Sequence, residues 1–284
     1  MTRSLPLYVS EVEAFGDRAP KGAPGETFLL LHGYGGSSFT WRFWAQALAA
    51  RGRVILVDMK GFGEAPKPDD GRYGPEELAA LVVEYLEQHD LRRLTLIGHS
   101  LGGGVSLLAT LALMDRGSGR IERLVLVASA SYRQRLPPFV ALARWPRLSA
   151  VLLRIVGARR VIRRVLRAIV HDRRSVTEDQ VRAYARSLES ADGVRAALDA
   201  GRQIVPASID ELAARFREID IPTLVLWGRQ DRVVPLSNGR RLAAELPQAT
   251  LTILDECGHL PPEELPEESL AALENFLDDH PLAE

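Results

Sequence analysis

The chain has 284 residues, of which 46% are hydrophobic and 26% charged, and this favours one α/β domain with an insertion over two independent domains. The formal net charge of −1 argues against a nucleic-acid-binding protein, and the single cysteine, Cys257, excludes an intramolecular disulfide. Met1 to Phe15 lack the apolar segment of a signal peptide, and no apolar run is long enough to cross a bilayer. We therefore expect a cytoplasmic protein without a transmembrane segment.

Strand-like and helix-like segments alternate along the first part of the chain. Apolar runs predict strands at Tyr8–Phe15, Thr27–Leu31 and Val54–Val57, from Leu94 to the turn at Gly98, and at Arg123–Val127. A Pro/Gly-rich turn spans Arg18–Gly25, and helices are predicted after Ser38, over Pro75–Gln88 and over Val105–Met114. Later segments are strands at Thr223–Trp227 and Leu251–Leu254 and a helix at about Pro266–Leu277. This alternation is typical of a parallel sheet with helices on both faces.

The alternation stops between about residues 131 and 205, and this segment is helical and basic. It has sixteen arginines, no lysine and six acidic residues, a local charge of +10 that leaves −11 for the rest of the chain. From Leu152 to Val170, apolar residues recur at helical spacing with arginines between them, which predicts one or two amphipathic basic helices. We predict a helical insertion at 131–210 between two parts of one α/β core, 1–130 and 211–284.

The arginines of the insertion have three interpretations. They can form the solvated outer face of its helices, they can attract an anionic substrate, or they can dock on anionic lipid at a membrane surface. The first is the usual role of charges on amphipathic helices. Peripheral lipid contact through the basic insertion stays open, as does the oligomeric state.

The segment Gly98-His99-Ser100-Leu101-Gly102 joins a predicted strand to a predicted helix. It matches the G-x-S-x-G pattern, in which a serine sits at the apex of a tight turn. A serine there has a strained backbone, and side chains two residues away would collide, which explains the glycines. The N-terminus of the following helix directs free N–H groups toward an anion that forms beside Ser100. The pattern predicts Ser100 as a catalytic nucleophile.

A serine hydroxyl needs a base within hydrogen-bond reach, and histidine has a pKa suited to this task. Of the six histidines, His259 follows the last predicted strand, where open α/β sheets build their sites. Asp231 follows the strand before it, so the order Ser100, Asp231, His259 is the one expected for this turn, with Asp255 as the alternative acid. Other roles are expected for His32 (loop shaping), His99 (pointing away from the turn apex), His89 and His280 (helix ends), His171 (within the insertion) and Asp58 (structural hydrogen bonds).

A developing oxyanion needs N–H donors. We predict the backbone N–H of Leu101, directly after Ser100, and that of Tyr34, in the loop after the Thr27–Leu31 strand. The Tyr34 side chain and Trp145 are candidates to contact substrate, and Cys257 is interpreted as a packing residue. The sequence has neither metal-ligand spacing nor a nucleotide-binding loop, so no metal and no cofactor is expected.

These segments together resemble the α/β-hydrolase superfamily, in its serine-hydrolase branch with a helical cap. The resemblance runs from about Thr27 to the C-terminus. It rests on the serine turn and on His32-Gly33-Tyr34-Gly35-Gly36, Asp58-Met59-Lys60-Gly61-Phe62-Gly63, Gly228–Pro235, and Gly258-His259-Leu260-Pro261 with Glu264 and Pro266. It implies the α/β-hydrolase fold: a mostly parallel, eight-stranded sheet with helices on both faces and a lid over the active site. Ser100 differs from the aspartate used at this turn by the haloalkane dehalogenases and epoxide hydrolases of the superfamily.

The expected activity is hydrolysis of carboxylic esters of small to medium apolar acids, through a Ser-His-Asp triad and an acyl-enzyme. The substrate would be a small-molecule ester. The alternatives are a carbon–carbon bond hydrolase of the ring-cleavage-product type, a perhydrolase and an acyltransferase. A different class of protein is a ligand-binding receptor that uses the same pocket.

Overall fold

The computed structural model describes residues 4–13 and 26–282, without the side chains of residues 150, 152 and 154. The predicted turn at Arg18–Gly25 and the side chain of Leu152 therefore lie outside the described residues. The strands are β1 Tyr8–Val12, β2 Thr27–Leu31, β3 Arg53–Asp58, β4 Leu94–His99, β5 Ile121–Val127, β6 Thr223–Gly228 and β7 Ala249–Leu254. They form one sheet in the order β1-β3-β2-β4-β5-β6-β7, in which β1 is antiparallel to β3 and all other neighbours are parallel.

The sheet agrees with the predicted strands in position. Thr27–Leu31 has the predicted bounds, and the described part of the predicted strand Tyr8–Phe15 forms β1 over Tyr8–Val12, while Ala14 and Phe15 lie outside the described residues. The family resemblance implied eight strands, and the described residues form seven. The mostly parallel sheet of the α/β-hydrolase fold is thereby confirmed, with one strand fewer in the described part of the chain.

Twelve α-helices lie in the described residues. They are α1 Ala45–Ala49, α2 Pro75–Gln88, α3 Leu101–Asp115, α4 Pro138–Ala141, α5 Pro146–Val156, α6 Ala158–Ile169, α7 Glu178–Arg186, α8 Ala191–Gln203, α9 Ile209–Ala214, α10 Leu236–Glu245, α11 Pro261–Glu264 and α12 Pro266–Asp279. Helix α2 has the predicted bounds, with Pro75 at its first position and two glutamates in its first turn. Among the described residues, no helix is both long enough and apolar enough to cross a membrane.

Alternate side chains of the central strands divide the core into two layers. In β2, Leu29 and Leu31 belong to the apolar cluster that α2 and α3 cover. Phe28 and Leu30 point to the other face, where α1 and α12 cover them. Both layers are completely buried at β2, so the sheet is a rigid support for the loops at its ends.

Helices α4 to α8 come between β5 and β6 in the chain, within the predicted insertion. Helices α5 and α6 meet at Gly157, which has a φ of +85°, so the stretch predicted as one or two amphipathic helices forms two. Helices α6 and α7 share an apolar cluster that includes Leu260 of the core. Helix α8 contributes Ala196 and Ala200 to the main core. The insertion is therefore packed against the α/β core through at least two of its helices.

Candidate active site

Loops at one edge of the sheet bring together residues that are far apart in the sequence. Strands β2, β4, β5, β6 and β7 are all parallel, so their carboxyl ends lie on the same edge. In open α/β sheets this edge is where ligands bind. The loops after β2, β4, β6 and β7 carry the residues singled out from the sequence.

Ser100 occupies the tight turn between β4 and α3, with a φ of +51° and a ψ of −114°. A non-glycine residue in this conformation is strained, and such strain persists only where the surroundings maintain it. A Cβ at Gly98 would lie 2.4 Å from the Gly102 oxygen, and a Cβ at Gly102 would lie 2.3 Å from the Leu31 oxygen. The turn therefore has room only for glycine at both positions, as the sequence pattern predicts.

Two hydrogen bonds join Asp231, His259 and Ser100, and all three residues are buried. Ser100 Oγ lies 3.0 Å from His259 Nε2, and His259 Nδ1 lies 2.8 Å from Asp231 Oδ2. The other carboxylate oxygen, Asp231 Oδ1, accepts from the backbone N–H groups of Val233 at 2.8 Å and Val234 at 2.9 Å. These bonds orient the carboxylate, so that Oδ2 accepts from a protonated Nδ1 and Nε2 is left to accept from the serine hydroxyl.

The backbone of His259 is held from two sides. Its N–H donates to the Ile169 oxygen at the end of α6 at 2.9 Å, and its carbonyl accepts from His99 Nε2 at 2.8 Å. Burial, followed by the neighbouring His259 ring, lowers the pKa of His99 to about 3, so the His99 ring stays neutral. The expectation that His99 points away from the serine turn needs correction. Its ring lines the same cavity as Ser100 because it bonds to the His259 loop, 160 residues further along the chain.

Glu264 connects the His259 loop to the insertion. Its Oε1 accepts from the Leu260 N–H at 2.9 Å, and its Oε2 accepts from the Gly258 N–H at 3.0 Å and the His171 N–H at 2.6 Å. One carboxylate thus fixes the residues on both sides of His259 and the segment after α6. In the sequence, Glu264 is recognisable only as part of the family motif. Its position on the short helix after His259 was the signal available, but its partner in the insertion depends on the tertiary fold.

A second buried carboxylate, Glu263, lies at the same junction. It accepts hydrogen bonds from Tyr184 Oη at 2.5 Å, Arg42 Nη1 at 2.6 Å and Gln180 Nε2 at 2.9 Å. Burial raises the pKa of Glu263, and the Arg42 guanidinium opposes that rise. The network joins α7 of the insertion to α11, directly after His259. No local sequence pattern predicts it, because its partners are 79 or more residues from Glu263.

The loop after β2 lies against Ser100. A Cβ on Gly33 would come within 3.2 Å of Ser100 Cβ and 2.8 Å of His99 Nδ1, so the close approach depends on glycine. Tyr34 follows and lines the same cavity as Leu101, while its hydroxyl donates to the Ala197 oxygen at 2.7 Å. The Leu101 N–H is at the first position of α3 and has no carbonyl partner within the helix. Both residues are therefore near Ser100, and their role as oxyanion donors stays a prediction.

The insertion helices and these loops enclose an apolar cavity that reaches Ser100 and His259. Its volume is about 200 Å³, taken as the space open to the centres of water molecules. Side chains from both the core and the insertion line it, among them Phe62, Leu108, Phe139, Leu153, Val165 and Leu188. No arginine, lysine, aspartate or glutamate of the described chain is among the lining residues. The cavity therefore suits an uncharged, apolar ligand.

The sequence profile of the alpha/beta hydrolase fold family matches residues 26–266. The chain belongs to this family. A protein of Bacillus subtilis (strain 168) named uncharacterized hydrolase YugF is 31% identical over 246 residues, which cover 86% of this chain and 87% of that protein. A 2-hydroxymuconate semialdehyde hydrolase of Pseudomonas putida is 30% identical over 280 residues, covering 94% of this chain and 93% of that protein. The crystal structure of an α/β hydrolase fold protein from Burkholderia ambifaria is similar, with a TM-score of 0.81 and 24% identity, covering 95% and 93% of the two chains.

Two of the predicted site residues of this α/β hydrolase lie apart from the others. Asp255, the alternative acid, is 71% exposed in its side chain and forms an ion pair with Arg229, so it is not the partner of His259. The expectation that Trp145 contacts substrate needs correction, because its side chain is 58% exposed and outside the cavity lining. Leu142 and Ser149, which lie before and after Trp145 in the chain, line the cavity instead.

Other residues have the structural surroundings that their sequence positions suggested. Asp58 accepts two backbone N–H groups, at 2.6 and 2.8 Å, and so shapes the loops around it. His32 bridges the Gly33 carbonyl at 2.7 Å and the Met59 N–H at 3.0 Å, and burial lowers its pKa. Cys257 is completely buried, and burial raises the pKa of its thiol. The remaining histidines lie at helix ends or in the insertion: His89, His280 and His171.

Proposed function

We propose that this α/β hydrolase cleaves small-molecule carboxylic esters of small to medium apolar acids through an acyl-enzyme. The observation that carries the proposal is the hydrogen-bonded chain from Asp231 through His259 to Ser100, at the wall of an apolar cavity. In this proposal Ser100 is the nucleophile, His259 is the general base and then the general acid, and Asp231 orients His259.

Acylation uses the hydrogen bonds already present. Ser100 Oγ attacks the ester carbonyl carbon while its proton passes to His259 Nε2. The carbonyl electrons move to the oxygen, and the backbone N–H groups of Tyr34 and Leu101 stabilise the charge that forms there. When the carbon–oxygen bond to the alcohol breaks, His259 gives the proton to the departing oxygen. Asp231 stabilises the imidazolium that exists between these two transfers.

Deacylation repeats these steps with water. A water molecule attacks the acyl carbonyl carbon and gives a proton to His259 Nε2, and His259 returns that proton to Ser100 Oγ as the acyl bond breaks. The product acid ionises at neutral pH. Because no cationic side chain of the described residues lines the cavity, the carboxylate is poorly stabilised there, and this favours product release.

The uncharged lining also limits the substrate. Among the described residues neither an arginine nor a lysine lines the cavity, so none of them would pair with a substrate carboxylate, and burying an unpaired carboxylate costs several kcal/mol. The interpretation that arginines of the insertion attract an anionic substrate into the site is therefore disfavoured. Esters whose acid part is apolar match the lining best.

Carbon–carbon bond hydrolysis is the second candidate. It is favoured by the 30% identity to the 2-hydroxymuconate semialdehyde hydrolase over nearly the full length of both chains. The name of that protein's substrate denotes a carboxylate, which the described residues that line this cavity would leave unpaired. We therefore place ester hydrolysis first.

We further propose that residues 131–210 act as a cap. Support comes from α4 to α8, which contribute a large share of the cavity lining, and from the Glu263 and Glu264 hydrogen bonds that connect the insertion to the His259 loop. A cap in this position excludes water and supplies most of the surface that the acyl chain would contact.

A substrate panel distinguishes the candidates. We expect p-nitrophenyl butyrate to have a kcat/KM on the order of 10²-fold or more above that of p-nitrophenyl hemisuccinate, because the second ester must bury a free carboxylate. The same margin is expected over a ring-cleavage dienoate. Initial rates over a range of substrate concentrations give both ratios.

Carbon–carbon hydrolysis and ligand binding without catalysis each have their own outcome in this panel. A higher kcat/KM for the dienoate would replace ester hydrolysis with carbon–carbon hydrolysis. Binding of apolar esters without turnover of any substrate would favour a receptor. p-Nitrophenol is released when the nucleophile is acylated, and the butyrate and hemisuccinate esters share this leaving group. They therefore differ only in the acid part that the cavity must accept.

A further inference from the structure

The outer face of α5 is apolar and exposed. Leu148, Val151 and Ile155 are 59%, 53% and 76% exposed, and Trp145, just before the helix, is 58% exposed. Their spacing of three and four residues places them along one side of the helix. We call these four residues the apolar strip. A continuous apolar surface of this kind on a helix marks a site of contact with another molecule or a membrane.

The opposite face of α5 is already covered. Ser149 and Leu153 line the cavity, so α5 forms the wall between the cavity and the outside. A helix with apolar residues on both faces is expected where both faces are covered. The apolar strip is thus the face of α5 for which the described chain provides no cover.

Arginines flank the apolar strip in the sequence. Residues 131–171 contain ten arginines and no acidic residue. In the described chain, Arg133, Arg159 and Arg163 pair with acidic side chains. Six other arginines of residues 131–171 are exposed and have no described carboxylate oxygen within 4.0 Å: Arg135, Arg144, Arg147, Arg160, Arg164 and Arg167. The segment around α5 therefore combines exposed apolar side chains with positive charge that no described acidic side chain neutralises.

We propose that α5 docks this protein on an anionic lipid bilayer. The apolar strip would lie in the interface, with the flanking arginines against the lipid phosphates. Trp145, at the start of the helix, suits the interfacial region, where the amphipathic ring of tryptophan is favoured. Docking places the cavity wall against the lipid, so an apolar ester partitioned into the bilayer lies one helix away from Ser100. The docking itself does not depend on the proposed chemistry.

Charge complementarity selects the bilayer over a second copy of the chain. Two copies joined through this face would bring two basic surfaces together, which is unfavourable. An anionic bilayer attracts residues 131–205, with their charge of +10, and repels the remaining −11 of the chain, and both effects turn α5 toward the membrane.

Tryptophan fluorescence reports this docking directly. Of the four tryptophans, Trp145 is exposed, while Trp41, Trp44 and Trp227 are completely buried. The full chain is titrated with vesicles of phosphatidylglycerol and phosphatidylcholine, and separately with vesicles of phosphatidylcholine alone. We expect emission to shift to shorter wavelength with the anionic vesicles only, and the shift to weaken as salt shortens the Debye length. The Trp145→Phe variant should lose the shift and still sediment with the anionic vesicles.

A matched pair of double variants tests the charges. Arg144→Gln with Arg147→Gln should weaken anionic vesicle binding about 30-fold, since each basic residue at such a surface contributes about five-fold. Arg217→Gln with Arg240→Gln removes two exposed arginines outside the insertion, neither of them paired with a described carboxylate, and should leave binding unchanged. Equal losses in the two double variants would contradict docking through α5.

A second pair tests the apolar strip. Leu148→Ser with Ile155→Ser should abolish sedimentation with vesicles, whereas Phe43→Ser with Met114→Ser, also exposed apolar residues, should not.

Absence of both the emission shift and sedimentation in the wild-type protein would overturn the proposal. The proposal would also be overturned if the wild-type protein did not bind vesicles and sedimentation velocity showed a dimer that the Leu148→Ser, Ile155→Ser variant dissociates. The Ser100→Ala protein should bind vesicles like wild type; vesicle binding without any ester hydrolysis would refute the proposed activity alone.

Discussion

Replacing Ser100 with alanine will lower kcat/KM for p-nitrophenyl butyrate by on the order of 10⁴-fold or more, with the protein still folded. The variant has no hydroxyl to attack the carbonyl or to donate to His259 Nε2. Alanine is tolerated at this position as serine is, because both have a Cβ at the strained φ of +51°. Steady-state rates together with the thermal unfolding midpoint measure the two halves of this prediction.

A second serine on the same helix provides the control. Ser106 is buried in α3, six residues after Ser100, and its hydroxyl donates to the Gly102 oxygen at 2.8 Å. Ser106→Ala should change kcat/KM only a few-fold, since Ser106 has no contact with His259. Near-wild-type activity in a folded Ser100→Ala protein would eliminate Ser100 as the nucleophile.

Replacing Asp231 with asparagine will lower kcat by on the order of 10⁴-fold. Asp231 Oδ1 accepts from the Val233 and Val234 N–H groups, so the asparagine carbonyl must take that position. Its NH2 group then faces His259 Nδ1 and donates to it. The proton of a neutral His259 moves to Nε2, which can no longer accept from Ser100. Rates at saturating ester, compared with wild type, measure this loss.

Asp255→Asn is the matched control for this loss. It makes the same chemical change at the alternative acid, where only an exposed ion pair with Arg229 is removed. Such pairs contribute about 0–1 kcal/mol to stability, so the control should keep most of its activity. If Asp255→Asn lost more activity than Asp231→Asn, the assignment of the acid would have to be exchanged.

The parts of the fold that local physics determines are predictable from the sequence. Helix α2 has the predicted ends because Pro75 suits the first helical position and the glutamates after it suit the first turn. Helix α3 begins at Leu101, four residues earlier than the predicted Val105. From the sequence, Gly102, Gly103 and Gly104 belong to a glycine-rich turn, and the helix is predicted to begin after them. A Cβ at any of the three would lie within 2.6 Å of another atom, so close packing explains them instead.

The candidate site was predictable where it depends on motifs and not where it depends on distant contacts. The relation between Ser100, Asp231 and His259 follows from chain order and strand ends. The His99 ring bonds to the His259 carbonyl, and Trp145 is exposed. Both orientations depend on which face of an element the tertiary fold covers. The sequence also does not show that the described lining of the cavity is uncharged, because the arginines of the insertion alternate in sequence with the residues that line it.

Covalent capture of the nucleophile tests the central claim most directly. An aryl alkylphosphonate with a short apolar chain should phosphonylate the wild-type protein once, and peptide mass spectrometry should place the adduct on Ser100. The reaction should be absent in Ser100→Ala and unchanged in Ser106→Ala. A single adduct on Ser100 that accompanies loss of esterase activity is the result we predict. An adduct on another residue, or full loss of activity without any adduct on Ser100, would contradict the account.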